Sequence, residues 1–249
     1  MLNHTNEFFG IIFLSYAILP TVAAHCLHIG VYWQGDRKSE KVALTFDDGP
    51  DPVYTPQILD ILNKYNARAT FFVVGKHAEK YPDLVRRIIS EGHTLGIHGY
   101  RHRFAWLLDP VSSIQEIKKG NEVIRKIIGN GPFLFRPAWG VFNLCSLIYL
   151  WLSQEKAILW SFFARDWETG ATSDSIFNHV ICRIKPGSVV VFHDRCTKPW
   201  AVEDGPAKTI QALPEILESI QTRGLDPVPV EDLLEFKENG EILLGYREI

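Results

Sequence analysis

From residue 41 onward, short apolar runs alternate with stretches of helical periodicity. The runs are rich in β-branched and aromatic residues and are flanked by turn residues, which is typical of buried strands. They predict seven strands, at 42–46, 70–74, 94–97, 133–135, 157–160, 188–192 and 227–230.

The intervening stretches predict six amphipathic helices. We expect helices to begin at Thr55-Pro56, Pro82 and Asp109-Pro110, to run over 146–152, to follow a Thr172 cap, and to run over 207–222. Strands alternating with helices predict a parallel β/α fold, either a closed barrel or an open sheet.

Polar, reactive residues follow several of these strands, as expected where strands end and βα loops begin. Asp47 and Asp48 follow the first strand. Adjacent carboxylates point in different directions, so one can bind a metal while the other acts on a water. His98 and His102 follow the third strand and are four residues apart, so both imidazoles can face one ion. Two histidines and one carboxylate leave positions open for water and substrate.

Three later strand ends carry further candidates. Arg136, followed by proline, can hold a carboxylate in place, and the turn after it can present backbone N–H groups to an oxyanion. Asp166 is placed to orient a histidine or an arginine, and Trp167 to wall a small pocket. His193 ends an apolar strand and is a candidate general acid. His93 is expected to be structural and His77 solvated.

These motifs resemble the polysaccharide deacetylase (NodB-homology) family, carbohydrate esterase family four. The resemblance covers residues 41–234 and includes five motif blocks in order. It implies an α/β fold of the distorted (β/α)7, TIM-barrel-like type. It also implies a divalent metal, usually zinc, with cobalt, nickel or manganese as alternatives.

The resemblance also implies a role for each matching residue. Asp47 would be the catalytic base held by Arg136, and Asp166 would tune His193 as the general acid. The metal ligands would be Asp48, His98 and His102, with Trp139 at the oxyanion and Trp167 and Val191 lining the acetyl pocket. Four positions depart from the usual motifs without removing a ligand or the acid–base pair: Arg101, Ala138, Trp139 and Phe163.

The N-terminus differs in kind, because residues 8–24 are apolar and carry no charge. This stretch predicts an uncleaved membrane anchor, a cleaved signal peptide ending near Val22-Ala23-Ala24, or a buried helix. We therefore divide the chain into a hydrophobic segment, 1–34, and a catalytic domain, 35–249. The protein would be membrane-anchored or secreted and would face the cell envelope. Taken alone, the basic residues that follow the hydrophobic segment would instead favour a cytoplasmic domain.

Composition adds two expectations. The chain has 249 residues and a formal net charge of −3, so a nucleic acid partner is not expected. Its four cysteines form no C-x-x-C pair and indicate no disulfide framework.

The expected function is metal-dependent removal of N-acetyl groups from a polysaccharide containing N-acetylglucosamine, either peptidoglycan or a chitin-like polymer. Two alternatives stay open. One is an O-acetyl esterase or small-molecule amidase with the same metal site. The other is a carbohydrate-binding protein with a dead site, which would require the loss of a ligand or of the base.

Overall fold

The computed structural model describes residues 2–131, 134–196 and 205–235. One parallel sheet forms the centre of the molecule, and helices cover its outer face. Its strands are β1 (Val31–Tyr32), β2 (Lys41–Asp47), β3 (Thr70–Val73), β4 (Thr94–Ile97), β5 (Leu134–Phe135), β6 (Lys156–Ile158), β7 (Phe162–Phe163), β8 (Val189–His193) and β9 (Asp226–Pro227).

The strands follow the order β1-β6-β5-β4-β3-β2-β8-β7, and β9 pairs with β2. β2 is central, and every one of its flanking strands is parallel to it. Asp47 at the end of β2 lies in register with His193 at the end of β8. The curled parallel sheet confirms the predicted α/β fold of the distorted (β/α)7 type.

The described part of the domain has eight α-helices, six of them close to predicted positions. They are α3 (Tyr54–Lys64), α4 (Gly75–Lys80), α5 (Pro82–Ser90), α6 (Pro110–Ile128), α7 (Leu144–Ser153), α8 (Ser173–Ile181), α9 (Gly205–Thr222) and α10 (Val230–Leu234). Asp109 caps α6 and Thr172 caps α8, as predicted. α7 begins earlier than predicted because Asn143 forms a capping box with Ser146.

Some predicted boundaries are wrong. Thr55 is not a helix cap, because α3 begins at Tyr54 and the Thr55 hydroxyl donates instead to Asp194. Val230 begins α10 rather than ending a strand. The helices α4 and α10 and the two-residue strands β1 and β7 were not predicted. Position 133 of the predicted fourth strand lies outside the described residues.

The apolar N-terminal segment is helical and packs on the domain. It consists of α1 (Leu2–Phe13), a π-helical turn (Leu14–Ile18) and α2 (Leu19–Cys26), which together we call the N-terminal helix. Its residues from Asn6 to Cys26 are long and apolar enough to cross a membrane. The Tyr16 hydroxyl donates to the Leu108 carbonyl at 2.9 Å, and Ala17 and Ala24 are fully buried.

Candidate active site

The end of β2 carries two carboxylates with different partners. Asp47 accepts a hydrogen bond from the Arg136 guanidinium at 2.7 Å. Arg136 is fully buried, lies 4.0 Å over the Phe72 ring and also donates to the hydroxyl of Thr45. Burial lowers the pKa of Arg136, and the charge of Asp47 opposes that effect. The guanidinium therefore fixes Asp47 in one orientation.

Asp48 turns away from its neighbour and meets two histidines. Its backbone lies in the left-handed region, with φ of 78°. Its Oδ1 lies 2.9 Å from Nε2 of His102 and 3.4 Å from Nε2 of His98. One ligand atom from each of the three residues lies within 4.8 Å of the others. The structure thus brings together the three predicted metal-binding residues.

This donor set fits a divalent cation of the zinc type. Nδ1 of His98 is 2.8 Å from the Arg136 carbonyl oxygen, so Nδ1 carries the proton and Nε2 faces the site as a lone-pair donor. Burial alone would raise the pKa of Asp48, but the neighbouring imidazoles of His102 and His98 hold that pKa well below its usual value. Two imidazole nitrogens together with one carboxylate oxygen form a donor set that suits zinc and cobalt.

A histidine–carboxylate pair stands at the end of β8. Nδ1 of His193 lies 2.9 Å from Oδ1 of Asp166. The other Asp166 oxygen accepts from the His193 backbone N–H at 2.7 Å and from the Thr209 hydroxyl at 2.9 Å. These three bonds fix the carboxylate. The carboxylate in turn orients the imidazole through Nδ1, so Nε2 is the ring nitrogen that does not contact Asp166.

A cleft of about 260 Å³ joins these groups, and its polar lining includes Asp47, Asp48, His98, His102 and His193. Its apolar wall is aromatic: the predicted Trp139 and Trp167 are joined by Trp160 and Phe163. Phe163 is 4.7 Å from Trp167, which is 5.1 Å from His193, between ring centroids. Trp160 was missed because it lies at the end of a strand that periodicity treats as core.

Val191 does not join the cleft. It is fully buried in β8 and is not among the described residues that line the cavity. His77 is not simply solvated, because its Nδ1 lies 2.8 Å from the backbone oxygen of Asp48. His93 is buried, and its Nδ1 accepts from the Ala69 N–H, in agreement with the structural role predicted for it.

The N-terminal helix contacts the loop that carries Trp139. Trp139 and Gly140 both have positive φ, 63° and 70°. Nε2 of His25 is 2.6 Å from the Gly140 carbonyl oxygen. The Thr21 hydroxyl donates to the Phe142 carbonyl oxygen and accepts from its N–H. Sequence reasoning missed Thr21 and His25, because an apolar helix gives no local signal of what it packs against.

Comparison with known proteins identifies the family. The family model described as polysaccharide deacetylase matches residues 34–147. A peptidoglycan-N-acetylglucosamine deacetylase of Bacillus cereus is 34% identical over 209 residues, which cover 83% of this chain and 94% of the relative. The chain belongs to the polysaccharide deacetylase family. A chitooligosaccharide deacetylase of Azorhizobium caulinodans is also similar to this deacetylase, with 30% identity over 78% of this chain and 95% of the relative.

Solved structures agree with the fold of this deacetylase. The crystal structure of a peptidoglycan N-acetylglucosamine deacetylase with a bound N-oxidanyl-benzamide compound superposes with a TM-score of 0.79 and 31% identity, over 86% of this chain and 97% of that one. An acetyl xylan esterase from Clostridium thermocellum, in complex with a cobalt ion, gives a TM-score of 0.69 and 30% identity, over 78% and 90%. The fold and the enzyme class are therefore those of this family.

Proposed function

We propose that this deacetylase hydrolyses N-acetyl groups on N-acetylglucosamine units of peptidoglycan or a chitin-like polymer and releases acetate. One observation carries the proposal: Asp48, His98 and His102 converge in the same cleft as Asp47 and His193. The relatives named for peptidoglycan and chitooligosaccharide support the substrate class.

The metal ligands in this proposal are Asp48, His98 and His102, and zinc is the proposed ion, with cobalt, nickel or manganese as alternatives. A bound divalent ion supplies Lewis-acid polarisation of the acetyl carbonyl and lowers the pKa of water. Because its pKa is low, Asp48 is already anionic and need not lose a proton when a metal binds. Both histidines present Nε2 towards it.

Asp47 is the proposed general base. It lies in the cleft beside the ligand cluster, with its Oδ2 3.9 Å from Nε2 of His98. As the water oxygen bonds to the acetyl carbon, Asp47 takes the water's proton. The Arg136 guanidinium donates to Oδ1 of Asp47 and so fixes the carboxylate, which leaves Oδ2 to take the proton.

His193 is the proposed general acid, and Asp166 positions it. A sugar amine leaves poorly as an anion, so the C–N bond breaks only when nitrogen gains a proton. The Asp166 carboxylate holds Nδ1 of His193, so Nε2 is the nitrogen that donates this proton. The products are acetate and a glucosamine unit.

The remaining proposed roles concern binding. The backbone N–H of Trp139 would donate to the oxyanion, because its left-handed turn lies at the cleft. Trp167 would wall the pocket for the acetyl methyl group together with Phe163, which contacts it edge-on. Val191 would act from beneath this pocket, through its register with Phe163 in the neighbouring strand.

A matched pair of aspartate variants tests the proposal. Acetate release is measured from peptidoglycan and N-acetylglucosamine oligomers, with mass spectrometry of the products. Asp47→Asn should lose turnover by a factor of about 10² or more, since it removes the base. Asp60→Asn, an exposed aspartate paired with Arg87 on the surface, should retain turnover. Equal turnover by Asp47→Asn would refute the mechanism.

The second candidate reaction is O-deacetylation, favoured by the similarity to an acetyl xylan esterase. Acetylated xylan is offered beside the N-acetylated oligomers at equal acetyl concentration. Acetate from xylan alone would replace the proposed amide substrate with an ester, while leaving the metal site and acid–base pair in place.

We also propose that the protein is associated with a membrane through its N-terminal helix. The support is an apolar stretch from Asn6 to Cys26 that passes the length and composition test for a span. Co-flotation of the full chain with lipid vesicles tests this independently of any activity.

A further inference from the structure

One side of the N-terminal helix is attached to the domain, so the helix is held against the domain rather than free to cross a bilayer. Its second half is bonded to the domain through Tyr16, Thr21 and His25. Polar residues precede Phe8, so the apolar stretch without such bonds runs from residue 8 to about 15. Eight helical residues measure about 12 Å, far below the roughly 30 Å of a bilayer core.

A second apolar surface continues from this stretch. On α7, Leu144, Ile148, Trp151 and Leu152 are exposed, with Trp151 78% exposed, and their spacing places them on one helical face. The helix contains no charged residue. α7 packs directly against the Leu14–Ile18 turn of the N-terminal helix.

Residues 105–111 extend the same surface on the other side of that turn. Leu107 is 78% exposed and Val111 63%. The 105–107 turn packs against Leu14–Ile18, and Trp106 meets Phe13 edge-on with ring centroids 6.2 Å apart. We call the exposed apolar side chains of residues 8–14, 107, 111 and α7 the apolar platform.

The platform accounts for most exposed apolar bulk in the described residues. Every large apolar side chain from 8 to 14 is more than 40% exposed. Within the described ranges, the exposed large apolar side chains beyond the platform lie on α2 or just after it, except Val53 and Ile89. The platform's elements pack against one another at the Leu14–Ile18 turn, and large exposed apolar surfaces mark interaction sites.

We propose that the apolar platform rests in one leaflet of a bilayer, so that the protein is monotopic and does not span the membrane. The inference deepens the membrane association proposed above and does not depend on the deacetylation reaction. Lipid is the occupant that covers all three parts of the platform at once, because one part belongs to a helix of membrane-like composition and the other two lie beside that helix. Lys118, 5.5 Å from the Tyr149 ring on α7, flanks the face with a cation suited to headgroups.

Three single-cysteine variants of the full chain, in a background with the four native cysteines replaced by serine, test the proposal. An NBD fluorophore is placed at Leu152→Cys on the platform, at Asn6→Cys before the apolar stretch, and at Gln211→Cys, an exposed position of α9, as the control. Each is bound to lipid vesicles and measured for emission maximum, quenching by doxyl lipids, and reduction by external dithionite. Acetate release confirms that each variant is folded.

We expect a blue-shifted, doxyl-quenched signal at Leu152 and a polar, unquenched signal at Gln211. Asn6 and Gln211 should be reduced by dithionite to the same fraction, because both lie on one side. Opposite fractions would show a spanning helix and overturn the proposal. A label at position 152 that reports a polar environment and is reduced by dithionite would also overturn the proposal. Energy transfer between labels at position 152 on two copies, in the absence of lipid, would overturn it too, because a second copy would then cover this face. Flotation without the Leu152 shift would retain membrane association while refuting the platform.

Discussion

At the scale of single residues, the site depends on charges that are buried together. Arg136 is fully buried and donates to Asp47, Thr45 and two backbone carbonyls. A buried ion pair adds little net stability to the fold, but removing one partner leaves the other charge buried and unpaired. The same bonds that orient Asp47 therefore also make it costly to change alone.

A double-mutant cycle measures this dependence. Arg136→Leu should lower the free energy of unfolding by about 3–5 kcal/mol, because it leaves Asp47 buried without its counter-charge. Adding Asp47→Asn should recover part of that loss, since the buried charge disappears. Urea unfolding of the four proteins gives the coupling energy. Strictly additive losses would show that the guanidinium does not stabilise the carboxylate.

His93 makes stability depend on pH. Burial lowers its pKa from 6.5 to about 4. Between those values the unfolded chain binds a proton that the folded chain does not. Stability from this group is therefore complete above pH 6.5 and is lost as pH falls towards 4, with a slope of at most about 1.4 kcal/mol per pH unit.

The change His93→Gln should flatten the dependence on pH. Urea unfolding at pH 7 and pH 5 is compared between the wild type and the variant, and all other titrating groups are common to both. The wild type should lose more stability than the variant on going from pH 7 to pH 5. Parallel losses would assign the acid sensitivity to other groups.

At the scale of elements, α2 stabilises the Trp139 loop from outside the sheet. The Thr21 hydroxyl donates to the Phe142 carbonyl oxygen and accepts from the Phe142 N–H. It also accepts from the Trp106 indole N–H at 2.9 Å. None of the three contacts is local in sequence. The loop's left-handed residues are therefore held by a helix that the sequence alone would separate from the domain.

Thr21→Val keeps the shape of this side chain and removes its hydroxyl. We expect a loss of about 1–3 kcal/mol in the free energy of unfolding, because buried backbone partners are left without a bond. The amide of Phe142 should exchange its hydrogen faster. The control is Val22→Thr on the exposed face of α2, which should change neither quantity. An unchanged rate of hydrogen exchange at Phe142 in Thr21→Val would mean that the Trp139 loop keeps its conformation without the Thr21 hydroxyl.

At the scale of the whole molecule, a metal at the proposed site would couple three strand ends. Asp48, His98 and the Arg136 carbonyl that orients His98 directly follow β2, β4 and β5. An ion that binds only the folded chain stabilises it by mass action. The proposed ligand set would therefore make thermal stability a readout of the site that is separate from catalysis.

Removal and return of the metal test this coupling. At a zinc concentration 100-fold above Kd, stabilisation is about 2.7 kcal/mol, which for a domain of this size raises Tm by roughly 5–10 °C. Calorimetry of chelator-treated protein with and without zinc should show this rise. His98→Ala should show none, whereas an identical rise in that variant would place the ion elsewhere.

The sequence predicted which candidate residues meet in one cleft, because each lies at or just after the end of an apolar strand and parallel strands bring their ends to one edge. Asp47, His98 and His193 are therefore neighbours in space although far apart in the chain. Thr55 was wrongly assigned as a cap, because its actual partner, Asp194, is 139 residues away. β7, with only two residues, is too short for any periodicity to show.

The helical docking of residues 19–26 has a consequence for maturation of the chain. Proteases act on backbone that is extended and accessible, but Ala24 is fully buried and Val22-Ala23-Ala24 lies within α2. Once the fold has formed, the scissile bond of a leader peptide at this place is shielded. Processing there would have to occur before folding, and it would separate Thr21 from the loop it stabilises.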